Sequence, residues 1–170
     1  MTQVVFIADF FDDQVTGGAE INDATLVKFL EGKDLLFEKI NSHNVTKEYL
    51  FKNKDKYFIV SNFVRLSNVC KDFLYHHNTY SIYEHDYKFL INRNPIDFPN
   101  FIAPKSFLTN VNFYKRAHCV ICLSKMQKEI YENNLNLENL GNIGTSLFAE
   151  ELVQSLLSLS KREKTKKYAV

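Results

Sequence analysis

Two short polar segments hold the residues whose types and spacing could support chemistry. In TGGAE, adjacent Gly17 and Gly18 are followed by Glu20, and in YEHD, His85 precedes Asp86. The glycines leave room for a ligand, can take positive φ, and precede a predicted helix whose free N–H groups favour an anion. Glu20 suits either the positive end of that helix or a sugar hydroxyl group. The two segments therefore predict a binding site.

His85 has a structural and a functional interpretation. A histidine at the end of a strand often makes one structural hydrogen bond. A neighbouring carboxylate can instead fix the tautomer of the ring and raise its basicity. Because Asp86 is adjacent at the carboxyl end of a predicted strand, we predict that His85 belongs to a site, as a candidate catalytic residue.

The sequence predicts neither a metal site nor a cofactor. His76 and His77 are adjacent on a predicted helix, so they point about 100° apart, and no third ligand is evident. Cys119 and Cys122 have a CxxC spacing, but they lie in a predicted strand, where residues three apart point to opposite faces. The glycine pair matches neither a P-loop nor a GxGxxG dinucleotide loop.

Alternating strands and helices must position the two polar segments. Short apolar runs with helical stretches between them indicate βαβ units and a mainly parallel sheet. Strands are predicted at 3–8, 35–41, 56–61, 80–84, 119–123 and 139–143, and helices at 20–31, 46–53, 67–77, 107–116, 124–134 and 148–160. The predicted fold is α/β, a single Rossmann-like three-layer domain with a mainly parallel sheet.

This fold places the site at one edge of the sheet. Ligands of open parallel sheets bind beyond the carboxyl ends of the strands, where the strand order reverses. For the flavodoxin-like order 2-1-3-4-5, that point lies between the first and third strands. The TGGAE loop and the loop beginning at Ser61 and Asn62 meet there, and the turn 84–86 lies one strand spacing, roughly 4.8 Å, further along.

Composition and charge exclude several classes of protein. The 170 residues carry 21 Lys and Arg against 20 Asp and Glu, so no overall field attracts nucleic acid. A basic cluster lies near the end of the chain, at Lys161, Arg162, Lys164, Lys166 and Lys167. It is typical of a solvated linker and, alternatively, of a segment that faces phosphate or lipid. No membrane-spanning run or secretion signal is evident, so we expect a cytoplasmic protein.

Three segments in order resemble one enzyme family. TGGAE after the first strand, YEHD after a later strand, and FYKRAHCVICLSKMQKEIYENN are similar to the N-terminal half of GT-B glycosyltransferases of family four, which retain anomeric configuration. The resemblance extends from Val4 to about Leu157. It implies a hexosyltransferase-like activity, with residues 1–160 as the Rossmann-like acceptor-binding domain.

The resemblance implies a role for each candidate residue. Gly17 and Gly18 would approach the phosphates of a nucleotide-sugar donor, while His85 would contact the transferred sugar and orient the reacting groups. Further substrate contacts are expected from the other residues near the cleft: Glu20, Asn62, Asp86 and Ser124. Retention in that family is attributed to front-face attack, in which the leaving phosphate accepts the proton, so no protein nucleophile is required.

One departure from the family is large. Members carry two glutamates eight positions apart in a C-terminal donor-binding domain, and no Glu in this chain has another Glu eight residues later. We therefore expect residues 161–170 to be a basic linker and the start of a missing domain. The chain alone should then be inactive, either as half of a split enzyme whose donor domain is on another chain or as a truncated product. The acceptor would be a sugar or a lipid-linked acceptor molecule.

Two further interpretations stay open. The first is a non-catalytic binding or assembly module on a flavodoxin-like scaffold, because this fold hosts many functions. In the second, Phe148, Leu152, Leu156 and Leu159 recur at helical spacing before the basic cluster, so the last helix could lie on an anionic membrane. Packing of this helix on its own sheet is the simpler expectation.

Overall fold

The computed structural model describes residues 2–162, which form a single α/β unit around one sheet. The strands are β1 (Val4–Ala8), β2 (Leu36–Asn41), β3 (Tyr57–Val60), β4 (Thr79–Tyr83), β5 (Val120–Cys122) and β6 (Leu140–Asn142). The helices are α1 (Gly18–Gly32), α2 (Lys47–Lys52), α3 (Asn68–His77), α4 (Val111–Arg116), α5 (Lys125–Leu135) and α6 (Glu150–Ser160). The predicted Rossmann-like α/β fold is confirmed.

The strand order places the switch point where the sequence predicts it. All pairs are parallel, in the order β2-β1-β3-β4-β5-β6. From β1 the chain moves to one side to form β2, and it then returns across β1 to form β3. The strand order therefore reverses between β1 and β3, and the loops that follow these two strands separate to open a cleft.

Two apolar layers cover the sheet because alternate residues of a strand point to opposite faces. On one face Val4, Phe6 and Ala8 of β1 pack with Val27 and Leu30 of α1. The larger cluster on the other face contains Val5 and Ile7 of β1 together with residues of α2, α3, α4 and α5. Every residue of β1 is buried, which explains why its sequence is an unbroken apolar run.

The segment between β4 and α4 differs from the prediction at one end. A helix was expected from residue 107, but residues Lys105–Phe107 form a separate 3₁₀ turn, and α4 begins only at Val111. Asn110, with φ of 54°, interrupts the helical geometry between them. A bridge between Leu90 and Leu108 closes the long excursion into an ordered loop.

The last helix does not pack as expected. No residue of α6 is buried, and its four leucines are between 40% and 55% exposed. The expectation that this helix packs on its own sheet is therefore wrong. The basic cluster begins directly after α6 with exposed Lys161 and Arg162, whereas its other lysines and the predicted start of a missing domain lie outside the described residues. None of the helices in residues 2–162 combines the length and apolarity that crossing a bilayer requires.

Two isoleucines test where the core lies. Ile82 in β4 is fully buried, whereas Ile96 in the long loop is 74% exposed. We expect Ile82→Ala to lower the free energy of unfolding by about 2–5 kcal/mol, because it removes apolar contacts and leaves a cavity. The control Ile96→Ala should stay within about 0.5 kcal/mol of the wild type. Urea unfolding of both variants is the measurement, and equal losses would contradict this placement of the core.

Candidate functional site

A cavity of about 730 Å³ opens at the carboxyl edge of β1, β3 and β4. Its wall includes five of the seven site residues that the sequence predicts: Gly18, Glu20, Asn62, His85 and Asp86. These residues come from α1 and from the loops after β3 and β4, which the strand order brings together. The TGGAE and YEHD segments thus face one common groove.

A buried carboxylate joins the three elements around this cavity. Asp23 of α1 has no solvent exposure. Ser61, which directly follows β3, donates its hydroxyl to the carboxylate at 2.8 Å from Oδ1 and 2.7 Å from Oδ2. His85, which follows β4 after Glu84, places Nε2 at 2.6 Å from Oδ1. A buried carboxylate is costly unless donors surround it, so these hydrogen bonds hold all three elements in register.

The ring of His85 is fixed from two sides. Its side chain is 7% exposed, and its ring forms a T-shaped pair with the ring of Tyr83, with centroids 5.0 Å apart. Tyr83 in turn donates its hydroxyl to Asn22, beside Asp23 on α1, and burial raises its pKa above the ordinary value. His85 is therefore an ordered part of the cavity wall.

The carboxylate that orients His85 is not the predicted one. Asp86 was expected to fix the tautomer, but its oxygens bind Lys88 Nζ at 2.7 Å and Arg93 Nη1 at 3.3 Å. Adjacent residues in a turn point in different directions, so sequence proximity is a poor guide to side-chain contact. The carboxylate that contacts His85 is that of Asp23.

Beneath the cavity, a second buried carboxylate fixes the turn that carries His85. Glu84 accepts from Lys88 Nζ and from the Tyr114 hydroxyl, each at 2.5 Å, and from the backbone N–H of Asp86 at 3.1 Å. Both charged side chains of the Glu84–Lys88 pair are almost fully buried. Three donors therefore converge on the Glu84 carboxylate, and this buried network makes the turn stiff.

The pKa values of this pair follow from burial and mutual attraction. Burial raises the pKa of Glu84 above its ordinary value, and Lys88 only partly offsets this. Burial by itself would lower the pKa of Lys88, but the carboxylates of Glu84 and Asp86 outweigh it and raise that pKa. Burial, followed by the nearby Glu84 charge, also raises the pKa of Tyr114, so this phenol stays a donor.

The two glycines have different positions, and neither uses positive φ. Gly17 precedes α1 with φ of −137°, and Gly18 begins the helix with open space where a Cβ atom would lie. Gly18 lines the cavity and Gly17 does not. A Cβ atom on Gly17 would lie 2.3 Å from Oε2 of Glu20, so the absent side chain at Gly17 lets the Glu20 carboxylate fold back over the helix start.

Asn62 lines the cavity, whereas Ser124 does not. Half-buried Asn62 lies in the wall at the end of β3. Ser124 is an exposed N-cap whose hydroxyl accepts from the backbone N–H of Gln127 at 3.1 Å. It follows Leu123, which lines the cavity, but Ser124 itself does not. That Ser124 contacts a substrate stays a prediction.

Several residues of the cavity wall are not among those that the sequence predicts. Asp9 accepts from the backbone N–H groups of Val64 and Arg65 at 2.9 and 3.0 Å, which ties the β1 and β3 loops together. The guanidinium of Arg65 lies over the ring of Phe10, 5.1 Å from its centroid. Asp9 could have been predicted as a site residue, because it is the first acidic residue after a fully apolar strand.

Asp23 also had a signal in the sequence. It shares the helical spacing of Val27 and Leu30, so it is an acid within the apolar stripe of α1. Such a residue is buried only with partners. The identity of those partners, from the ends of β3 and β4, could not be read from local sequence because it depends on strand order.

The chain matches no family model, no curated protein and no solved structure. Within residues 2–162, no group of three or more His, Cys, Asp and Glu side chains is placed to hold a metal ion. The functional interpretation therefore depends on the geometry of the cavity together with the resemblance of its motifs.

The buried pair beneath the cavity makes a testable contribution to stability. Lys88→Met would leave the Glu84 carboxylate buried without its cation, and we expect a loss of about 3–5 kcal/mol in the free energy of unfolding. Removing the cation raises the folded-state pKa of Glu84 further, so the folded protein binds a proton more tightly than the unfolded chain does. The loss should therefore shrink as the pH falls from neutral to mildly acidic.

Lys125→Met is the matched control, because Lys125 forms an exposed ion pair with Glu129 at 3.7 Å. Its effect should be at most about 1 kcal/mol, with little change between the two pH values. Urea unfolding of both variants at each pH gives the comparison. Similar losses in both variants, or a loss at Lys88 that grows towards acidic pH, would contradict the buried pair.

Proposed function

We propose that residues 1–160 are the acceptor-binding domain of a retaining glycosyltransferase that uses a nucleotide-sugar donor. The observation that carries this proposal is the meeting of the TGGAE and YEHD motifs in one cavity: Gly18, Glu20, Asn62, His85 and Asp86 all line it. Two motifs that are far apart in the chain but line one cavity can contact the same ligand.

The chemistry of the cavity wall supports a ligand rich in hydroxyl groups. Carboxylates of Glu20 and Asp86 and the side-chain oxygen of Asn62 can accept hydrogen bonds from sugar hydroxyls, while Arg65 and Arg93 can donate to sugar or phosphate oxygens. Apolar side chains also line the cavity, among them Phe10, Phe148 and Leu152. Such a mixed wall fits the polar edges and apolar face of a sugar ring.

The open side of the cavity supports the proposal that a second domain completes the site. Phe148 and Leu152 at its rim are 53% and 40% exposed, so an apolar surface borders the groove. A departing nucleoside diphosphate needs donors from both walls of a water-poor cleft. The described residues supply one wall, and we propose that a donor-binding domain covers the other side and this rim.

In this proposal the residues act mainly by binding and orientation. Gly18 allows the donor phosphates to approach the start of α1, whose N–H groups favour negative charge. His85 contacts the transferred sugar, and Asn62 and Asp86 hold hydroxyl groups of the substrates. The departing phosphate accepts the proton of the attacking hydroxyl on the same face, which leaves configuration unchanged. Positioning of this kind lowers the barrier without a protein nucleophile.

A non-catalytic binding module is the second candidate, and the exposed face of α6 favours it. Leucines of this helix remain outside every described core cluster, and such a patch can bind another protein. The two candidates differ at the cavity. A module that binds through α6 needs neither His85 nor Asn62, whereas a transferase domain needs both.

Saccharide binding by the purified chain tests the cavity directly. A panel of monosaccharides, disaccharides and nucleotide sugars is titrated into ¹⁵N-labelled protein. We expect shift changes to concentrate at the backbone amides of Gly18, Glu20, Asn62 and His85. Asn62→Ala should weaken saccharide binding by about 2–10-fold through the loss of one or two hydrogen bonds.

The control is Asn112→Ala, because Asn112 is exposed on α4, away from the cavity, and this variant should bind as the wild type does. Shift changes that concentrate on α6 for every ligand, with Asn62→Ala and Asn112→Ala unchanged, would favour the binding module. An absence of any saccharide response across the panel would contradict the transferase proposal.

Activity provides a second test. Residues 1–170 alone should not transfer sugar from any nucleotide sugar to the saccharides of the panel, because one wall of the cleft is open. A coding region that continues or neighbours this chain should encode a second Rossmann-like segment with two glutamates eight positions apart. With that segment present, transfer should appear and His85→Ala should abolish it. Transfer by residues 1–170 alone would contradict the split-site proposal.

A further inference from the structure

The Asp23–His85 contact fixes the direction of every hydrogen bond that this ring can make. A carboxylate only accepts, so the 2.6 Å contact requires a proton on Nε2 of His85. A neutral imidazole carries one proton. Its other nitrogen, Nδ1, must then be an acceptor whenever the ring is neutral.

Nδ1 remains available for a ligand. Among the described residues, the only buried side-chain nitrogen or oxygen without a hydrogen-bond partner is Oδ1 of Asn78. His85 makes its one side-chain hydrogen bond through Nε2. Its Nδ1 has no partner and yet is not among the buried atoms without one, so Nδ1 is accessible to solvent. Since His85 lines the cavity, the cavity is the candidate site for a ligand that contacts this nitrogen.

Ser61 helps to hold the Asp23 carboxylate in position. Its hydroxyl lies 2.8 and 2.7 Å from the two carboxylate oxygens of Asp23. This contact orients the carboxylate in addition to its contact with the His85 ring. Both Ser61 and Asp23 are fully buried. Neither of them lines the cavity, so these two residues reach a ligand only through His85.

We propose that Asp23 is a positioning residue that holds His85 as the Nε2–H tautomer, so that Nδ1 selects a hydroxyl donor in the cavity. The ligand group at this point is an alcohol, as on a sugar or another polyol, rather than a phosphate or carboxylate oxygen. An anionic oxygen would face the lone pair of Nδ1 and be repelled. The assignment of the hydroxyl to a transferred or accepting sugar rests on the proposed function, whereas the tautomer does not.

The tautomer is measured on the full chain without any ligand. Two-bond ¹H–¹⁵N spectra of histidine-labelled protein report the protonation of each ring nitrogen, and His85→Gln identifies the His85 signals among the five histidines. On the alkaline plateau of a pH titration, we expect one tautomer with the proton on Nε2. That proton should appear as a slowly exchanging downfield signal, because it lies in a charge-assisted hydrogen bond within a buried site.

Asp23→Asn supplies the decisive comparison at nearly constant volume. An amide can present either its oxygen or its NH₂ group to Nε2, so a proton on Nε2 is no longer required. A mixture of tautomers should then replace the single form. The downfield proton signal should disappear. Ser61→Ala is the matched control, because it removes one donor to Asp23 but keeps the carboxylate, and it should retain the Nε2–H tautomer.

Two results would overturn the proposal. One is a wild-type His85 with its proton on Nδ1, or on both nitrogens across the whole titration, and this result needs no variant. The other is a folded Asp23→Asn protein whose His85 signals equal those of the wild type. If the tautomer is as expected but no saccharide binds, the positioning role of Asp23 stands and the proposed function fails.

Discussion

The architecture of the site depends on the burial of one carboxylate. Asp23 lies on the apolar face of α1, where an ion without partners would cost several kcal/mol. Ser61 and His85 meet this requirement from the ends of two neighbouring strands. Their side chains can reach Asp23 only if β3 and β4 are adjacent and α1 crosses their carboxyl ends. The hydrogen bonds that stabilise Asp23 therefore also define one wall of the cavity.

A second buried charge gives the site its stiffness. Glu84 precedes His85, and its contacts with Lys88 and Tyr114 lie beneath the turn. Asp86 on the other side of His85 is held by Lys88 and Arg93. The ring thus sits between two anchored residues, and its own contact with Asp23 sets its rotation. An arrangement of this kind is preorganised, so little conformational entropy remains to be lost when a ligand binds.

Much of the scaffold could be predicted from sequence, because strand periodicity and connection length act locally. The apolar run Val4–Ala8 marks a central strand, and helical stretches between strands require parallel pairing with crossovers. The end of each strand then follows, which is why Asn62 and His85 could be placed at one edge. α6 was misjudged because its amphipathic pattern predicts a helix but does not specify what covers its apolar face.

The finer contacts of the site could not be predicted, because they join residues far apart in the chain. His85 and Asp23 are separated by 62 positions, and their contact depends on which strands are neighbours. Sequence proximity favoured Asp86 instead, and strand position alone did not distinguish a substrate contact by Ser124 from its capping contact with Gln127. In both cases the choice between a local structural role and a site role depends on direction in space, which strand position alone does not give.

We propose that this cavity binds a hydroxyl-rich ligand against an oriented His85. A crystal structure of the chain soaked with a saccharide tests it most directly. We expect a sugar between α1 and the β4 turn, with a hydroxyl oxygen within hydrogen-bond distance of His85 Nδ1 while Nε2 still contacts Asp23. A sugar bound elsewhere on the chain, or a His85 ring turned away from Asp23, would contradict it.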